Sequence, residues 1–158
     1  MHNHSENFQD FLALSVVVTG FTEFELIGTG QAEFYFSTVT RIVGEPFMTE
    51  LCQRFHQIQS ESQDEAALVT ALRTEITSDD KLGPITRSII KLWYVGTWYQ
   101  LPYEWREAYG ARDEDKTFVV SPVAYTEGLL WPTIGANPSG AKAPGYGSWS
   151  SPPRIPEV

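Results

Sequence analysis

Residues 84–99 constrain the fold of this chain more than any other stretch. The first half has the spacing of an amphipathic helix: apolar side chains recur every four residues, and Arg87 and Lys91 mark a polar side. After Lys91 that polar side is lost, because Tyr94 and Trp98 fall on the surface where a charge stood one turn earlier. A helix that is apolar all round has to be buried. The pattern therefore requires a cover, either from a later segment of the chain or from another protein.

Helical spacing accounts for most of the remaining chain as well. Glycine and proline separate apolar stripes of helical period, and Thr22 and Ser62 begin segments with the spacing of a capping box. The predicted helices cover residues 6–19, 22–43 with a break at 28–30, 46–59, 62–76, 84–99 and 121–131. Residues 103–109 are predicted to form a short helical turn, and residues 117–120 an extended stretch. We therefore predict an all-α fold, a compact helical domain of five to six helices.

The sequence changes character after Trp131. Residues 132–158 contain six of the ten prolines and four of the twelve glycines, which rules out regular secondary structure. The segment also carries apolar side chains, including Tyr146 and Trp149, whereas disordered tails are usually polar or charged. We predict a helical domain over residues 1–131 and an extended C-terminal strap over residues 132–158, whose side chains fit pockets.

Charge and composition argue against several classes of function. The net charge of −9 opposes a phosphate backbone, so we expect no nucleic-acid partner. We also expect no direct membrane insertion, because no apolar run approaches the roughly 18 residues that a membrane span requires. Cys52 is the single cysteine, which excludes an internal disulfide and a cysteine zinc cage.

The residues that could carry chemistry do not form a recognisable catalytic set. Residues 28–33 begin like a dinucleotide-binding loop, but Glu33 stands where the third glycine is needed. The acidic pairs at 79–80 and 113–115 are expected to be solvated loop residues, and His56 is expected on a polar helix face. We predict no catalytic, cofactor-binding or metal-binding residue in this chain.

Four segments, in this order along the chain, resemble the small subunits of membrane-bound FAD-dependent sugar and polyol dehydrogenases. This family includes the sorbitol, fructose, glucose and gluconate 2-dehydrogenase small subunits. Residues 11–21 (FLALSVVVTGF) resemble its opening F-x-x-L-S-x-x-L-T-G, and residues 89–98 (IIKLWYVGTW) look like its I-(V/L)-(R/K)-x-W-Y-x-G helix. Residues 125–131 (YTEGLLW) are similar to its Y-E-x-A-L-M-W/Y, and residues 138–153 to its P-S…P-G-x-x-x-W-x-x-P-P ending.

The resemblance implies a non-catalytic accessory or chaperone subunit. In that family a large flavoprotein of the glucose–methanol–choline type holds the FAD and oxidises the substrate, and a cytochrome c subunit often accepts the electrons. The small subunit is needed for the large one to fold. Large aromatic side chains dominate interface energetics, so we expect the following to contact the partner: Trp93, Tyr94, Trp98, Trp131, Tyr146 and Trp149.

Two features depart from the family pattern. The family usually carries a twin-arginine export signal, whereas the first arginine here is Arg41, so we expect a cytoplasmic complex unless a leader was removed before Met1. The family also often has a cysteine where Ala141 stands, so no disulfide to the large subunit is expected there. The alternative function is a free-standing carbohydrate-binding helical module that uses its aromatic rings as sugar platforms. A small helical hydrolase ranks last.

Overall fold

The structure is a computed structural model that describes residues 3–138, and it confirms the all-α prediction. The helices are α1 (His4–Thr19), α2 (Glu23–Gly28), α3 (Ala32–Val43), α4 (Glu45–Glu61), α5 (Glu65–Leu72), α6 (Leu82–Val95), α7 (Tyr103–Tyr109), α8 (Pro122–Thr126) and α9 (Leu130–Thr133). A π-helical turn over Arg73–Thr77 continues α5. Two short strands, β1 (Thr97–Trp98) and β2 (Phe118–Val119), pair antiparallel with Trp98 opposite Phe118.

Local hydrogen bonds at the helix starts explain where these helices begin. α1 begins at His4 rather than at the predicted residue 6, because Asn3 caps it in a reciprocal capping box with Glu6. The predicted box that starts at Thr22 is present at α2. The predicted cap at Ser62 is wrong: the Ser62 hydroxyl donates to a carbonyl at the end of α4, and Asp64 caps α5 by accepting from the Ala67 amide at 2.7 Å.

Trp93 lies in the core where α1, α3 and α6 meet, and the buried side of α4 completes the same core. The Trp93 indole N–H donates to the hydroxyl of Ser15 on α1 at 3.0 Å, and the ring of Tyr35 on α3 meets it edge-on with the centroids 4.9 Å apart. Phe11 lies beside the same indole at 6.4 Å. Buried aromatic pairs contribute specific geometry as well as apolar area, so Trp93 fixes how these helices pack.

The aromatic helix ends earlier than its sequence pattern indicated. α6 stops at Val95, and Gly96 takes a left-handed conformation with φ of 66° while its amide donates to the Leu92 carbonyl. The prediction of a continuous helix through Trp98 is therefore wrong. Trp98 lies on β1, and the change to extended backbone brings its side chain into the core rather than to the helix surface.

A later segment of the same chain covers the end of α6. The amide of Val120 donates to the Gly96 carbonyl at 3.1 Å, and the amide of Leu129 donates to the Trp93 carbonyl at 3.0 Å. The backbones approach so closely that a Cβ on Gly96 would lie 2.6 Å from the carbonyl carbon of Ala124. The sequence left open whether this cover comes from the chain itself or from a partner; within the described residues the chain supplies much of it.

The predicted boundary between helical domain and strap falls inside a helix. α9 runs Leu130–Thr133 and contains Pro132, which a helix tolerates in its first turn because the missing N–H has no intrahelical partner there. The last predicted helix is also interrupted, since α8 ends at Thr126 and α9 begins at Leu130. The rest of the predicted strap, residues 139–158, lies outside the described residues.

Replacing Gly96 by alanine should destabilise the protein more than replacing Gly20. Both glycines end a helix in the left-handed conformation, which costs another residue roughly 1–2 kcal/mol. A Cβ at Gly20 meets nothing within 4 Å, whereas at Gly96 it meets the Ala124 backbone, which should cost roughly 1–3 kcal/mol more. Urea unfolding of G96A and G20A measures both free energies of unfolding. Equal losses would mean that α8 does not pack on α6 this closely.

Candidate functional site

The predicted contact residues occupy very different positions. Trp93 and Trp98 are completely buried, so within this fold their rings support a surface rather than form one. Tyr94 is half-buried: its hydroxyl donates to the Thr19 carbonyl at 2.9 Å, and its ring meets Phe21 edge-on. Trp131 lies near the surface on α9. Tyr146 and Trp149 lie outside the described residues.

Trp131 belongs to a groove between α2 and the segment that includes α8 and α9. Its ring meets Tyr125 edge-on with the centroids 5.6 Å apart, and its indole N–H donates to the Tyr125 carbonyl at 2.8 Å. The groove has a volume of about 440 Å³ and is the candidate site. Its lining combines aromatic, small and acidic side chains, including Phe21, Glu25, Gly28, Glu127, Trp131 and Pro138.

The two carboxylates of the groove have different environments. Glu25 accepts hydrogen bonds from the Thr22 backbone N–H and the Thr22 hydroxyl, and these lower the pKa of its carboxyl. Glu127 is half-buried, and its negative charge adds to the burial that raises the pKa of the Tyr35 phenol. The groove therefore presents acidic groups beside aromatic rings, an arrangement that suits apolar or hydroxyl-rich ligands.

Asp115 is not the solvated loop acid that the sequence suggested. It is almost fully buried, and its Oδ1 accepts from the Trp98 indole at 2.9 Å and from the Leu101 amide at 3.1 Å. The Arg106 Nε lies 3.5 Å from Oδ2, which makes an ion pair without a hydrogen bond. The expectation was wrong because these donors come from elsewhere in the fold, and nothing local distinguishes Asp115 from the exposed Asp113.

The other polar candidates have structural explanations. Asp79 accepts from the amides of Lys81 and Leu82 at 2.9 and 2.7 Å, so it stabilises the start of α6. Gly28 ends α2 and Gly30 forms the turn before α3, and the strand that a dinucleotide loop needs does not precede them. His56 is on the surface, as expected, and its Nδ1 lies 2.9 Å from the carboxylate of Asp10.

The described part of the chain contains neither a metal-ion cluster nor a membrane-spanning helix. Among residues 3–138, no three His, Cys, Asp or Glu side chains are grouped so that they could hold a metal ion. Over the same residues, no helix combines the length and the apolar character that crossing a membrane requires.

Comparison with known proteins found no similar one. No protein-family description, no curated protein and no solved structure matches this chain.

Replacing Asp115 by asparagine should lower the free energy of unfolding by about 2 kcal/mol, because an NH2 group in place of Oδ2 can neither accept from the Leu101 amide nor pair with Arg106. The effect stays below that of a fully buried ion pair because Arg106 is partly exposed. The matched control is Asp113→Asn, an exposed neighbour whose change should stay within about 0.5 kcal/mol. Denaturant titration of both variants measures the difference, and equal values would show that the Asp115 carboxylate is not needed.

The single thiol should be unreactive in the folded protein. Burial, and then the charge of Asp10, raise the pKa of Cys52 to about 12, and its Sγ–H donates to the Asn7 carbonyl at 3.2 Å. We expect iodoacetamide at pH 8 to label Cys52 slowly in buffer and fast in urea, because the thiolate is the nucleophile. Fast labelling of the folded chain would contradict this burial.

The same pKa shift has a consequence for stability at high pH. Because the folded pKa lies above the unfolded value of about 8.5, the contribution of Cys52 to stability is complete below that pH. It is lost progressively as the pH rises towards 12. Unfolding of a Cys52→Ala control should therefore depend less on pH over this range than unfolding of the unchanged protein.

Proposed function

We propose that this chain is a non-catalytic accessory subunit that binds and stabilises the FAD-containing subunit of a sugar or polyol dehydrogenase. The observation that carries the proposal is the groove beside Trp131. Trp131 and Pro138, which belongs to the predicted strap, both line this groove. Tyr146 and Trp149, two further predicted contact aromatics, belong to the same predicted strap.

The fold supports a binding role through the position of its aromatic residues. The buried rings of Trp93 and Trp98 fix α6 and β1, and the segment packed on them carries Trp131 at its far end. Interface anchors are strongest when rigid elements hold them, because less conformational entropy is then lost on binding. In this proposal the core tryptophans position the surface, and Tyr94, Trp131 and the strap contact the partner.

The partner supplies the redox chemistry. The large glucose–methanol–choline-type flavoprotein holds the FAD, and a cytochrome c subunit can be a third component of the complex. This chain would contribute binding energy and assist folding of the flavoprotein. The motif resemblance supports this assignment, because its first three segments fall on α1, α6 with β1 and the α8–α9 region, which pack together here.

Replacing both Tyr146 and Trp149 by alanine should release the flavoprotein while this chain stays folded. The test is co-expression with a glucose–methanol–choline-type flavoprotein, followed by pull-down through this chain and measurement of flavin absorbance. Tyr103→Ala is the matched control, because Tyr103 is an exposed aromatic on α7 that does not line the groove. Full flavin recovery with the double variant would count against the strap, and no flavoprotein with the unchanged chain would refute the proposed function.

The second candidate is the free-standing carbohydrate-binding module. One observation favours it: the rings of Trp131 and Tyr125 pack edge to face, and Trp131 lines the groove together with Glu25, Glu127 and Asn137. Aromatic faces stack on sugar rings, and carboxylate or amide groups bond to hydroxyls. Calorimetry of the isolated chain with glucose and sorbitol distinguishes the two functions. Binding that is abolished by Trp131→Ala would favour the module.

A further inference from the structure

α2 displays apolar side chains that the other residues of the described range 3–138 leave exposed. The side chain of Phe24 is 86% exposed and that of Ile27 is 53% exposed. We call these two residues the α2 ridge. They lie three positions apart on one side of the helix, whereas Leu26 faces the core and is fully buried. Scattered exposed apolar residues are common, but a phenylalanine with almost no contacts beside a second exposed apolar residue marks a candidate interaction surface.

The orientation of the α2 ridge is fixed by the rest of the fold. The Thr22–Glu25 capping box closes the start of the helix, with the Thr22 amide donating to the Glu25 carboxylate at 2.8 Å. Burial of Leu26 fixes the rotation of the helix about its axis. Phe24 therefore cannot turn inward without unwinding α2, and a partner that covers it meets a preformed surface.

The charged side chains on α2 and at the start of α3 are all acidic. Glu23 and Glu25 flank Phe24, and Glu33 follows at the start of α3. Residues 1–40 contain no lysine or arginine. The ridge is thus an apolar centre with an acidic rim, and the complementary surface is an apolar pocket rimmed by Lys or Arg.

This charge distribution selects one occupant among three. A second copy of the chain would bring identical surfaces together across a two-fold axis and would place Glu23 and Glu25 against their own copies. An anionic lipid surface would repel the same carboxylates, since interfacial helices use basic residues there. A protein with a basic rim is the occupant that the charges favour.

We propose that the α2 ridge docks into a basic-rimmed apolar pocket of the FAD-containing subunit. This inference rests on the proposed function and names a second contact beside the groove. The two surfaces are continuous, because Glu25 and Gly28 of the same helix line the groove. In this arrangement one side of α2 borders the groove, Leu26 anchors a second side in the core, and the α2 ridge inserts into the partner.

The first experiment compares Phe24→Ala with Tyr103→Ala in the purified complex. Phe24 makes little contact with the other described residues, so its loss should leave the thermal unfolding midpoint of the isolated chain unchanged. The dissociation constant for the flavoprotein should rise about ten- to hundredfold, as expected for an aromatic ring buried on binding. Tyr103→Ala, which removes another exposed aromatic, should change it less than about twofold.

The second experiment tests the acidic rim. The double variant Glu23→Gln and Glu33→Gln should slow association at low salt and reduce its dependence on ionic strength, while leaving Phe24 in place. Glu25 is kept because it closes the capping box. An unchanged salt dependence would overturn the basic-rimmed pocket.

Several outcomes separate this inference from the proposed function. If the flavoprotein binds the unchanged chain and F24A equally well, the α2 ridge is not a contact but the accessory role stands. If no flavoprotein binds the unchanged chain, both fail. If light scattering shows a dimer of the isolated chain that F24A disrupts, the occupant is a second copy and the inference is overturned. Binding to phosphatidylglycerol vesicles that F24A abolishes would overturn it in favour of a membrane.

Discussion

Trp93 places a large ring with one polar atom where α1, α3 and α6 meet. The ring fills the space between Phe11 and Tyr35. The hydroxyl of Ser15 on α1 accepts a hydrogen bond from the indole N–H, which removes the free-energy cost of burying an unpaired donor. The backbone carbonyl of the same residue accepts from Leu129. One residue thus joins the helical core to the late segment that carries the groove, and the geometry of the candidate site depends on this packing.

Asp115 has a comparable role for the irregular part of the chain. Its carboxylate accepts from the Trp98 indole and the Leu101 amide and stands beside Arg106, so it holds β1, the start of α7 and its own loop together. A loop with little regular structure needs such an acceptor, because its backbone and side-chain donors would otherwise be buried without partners. β1 and β2 then present the backbone on which α8 approaches Gly96.

The groove and the α2 ridge are neighbouring surfaces, and α2 contributes residues to both of them. In the proposed complex the groove provides the start of the strap and Trp131, while Phe24 and Ile27 provide a rigid apolar contact. Such a division suits a subunit that stabilises a larger protein, because separate contacts hold the partner at more than one place. The acidic rim would contribute to the rate and the specificity of association more than to affinity.

The sequence by itself determined the all-α class, the capping box at Thr22 and the helix ends at Gly20 and Gly44, because these depend on residues a few positions apart. Only the tertiary structure decided the burial of Asp115, the burial of Trp98 on a strand and the cover over α6. The physical reason is the range of the interactions. Caps and stripes are local, whereas the donors that bury Asp115 and the backbone that covers Gly96 come from segments that only folding brings together.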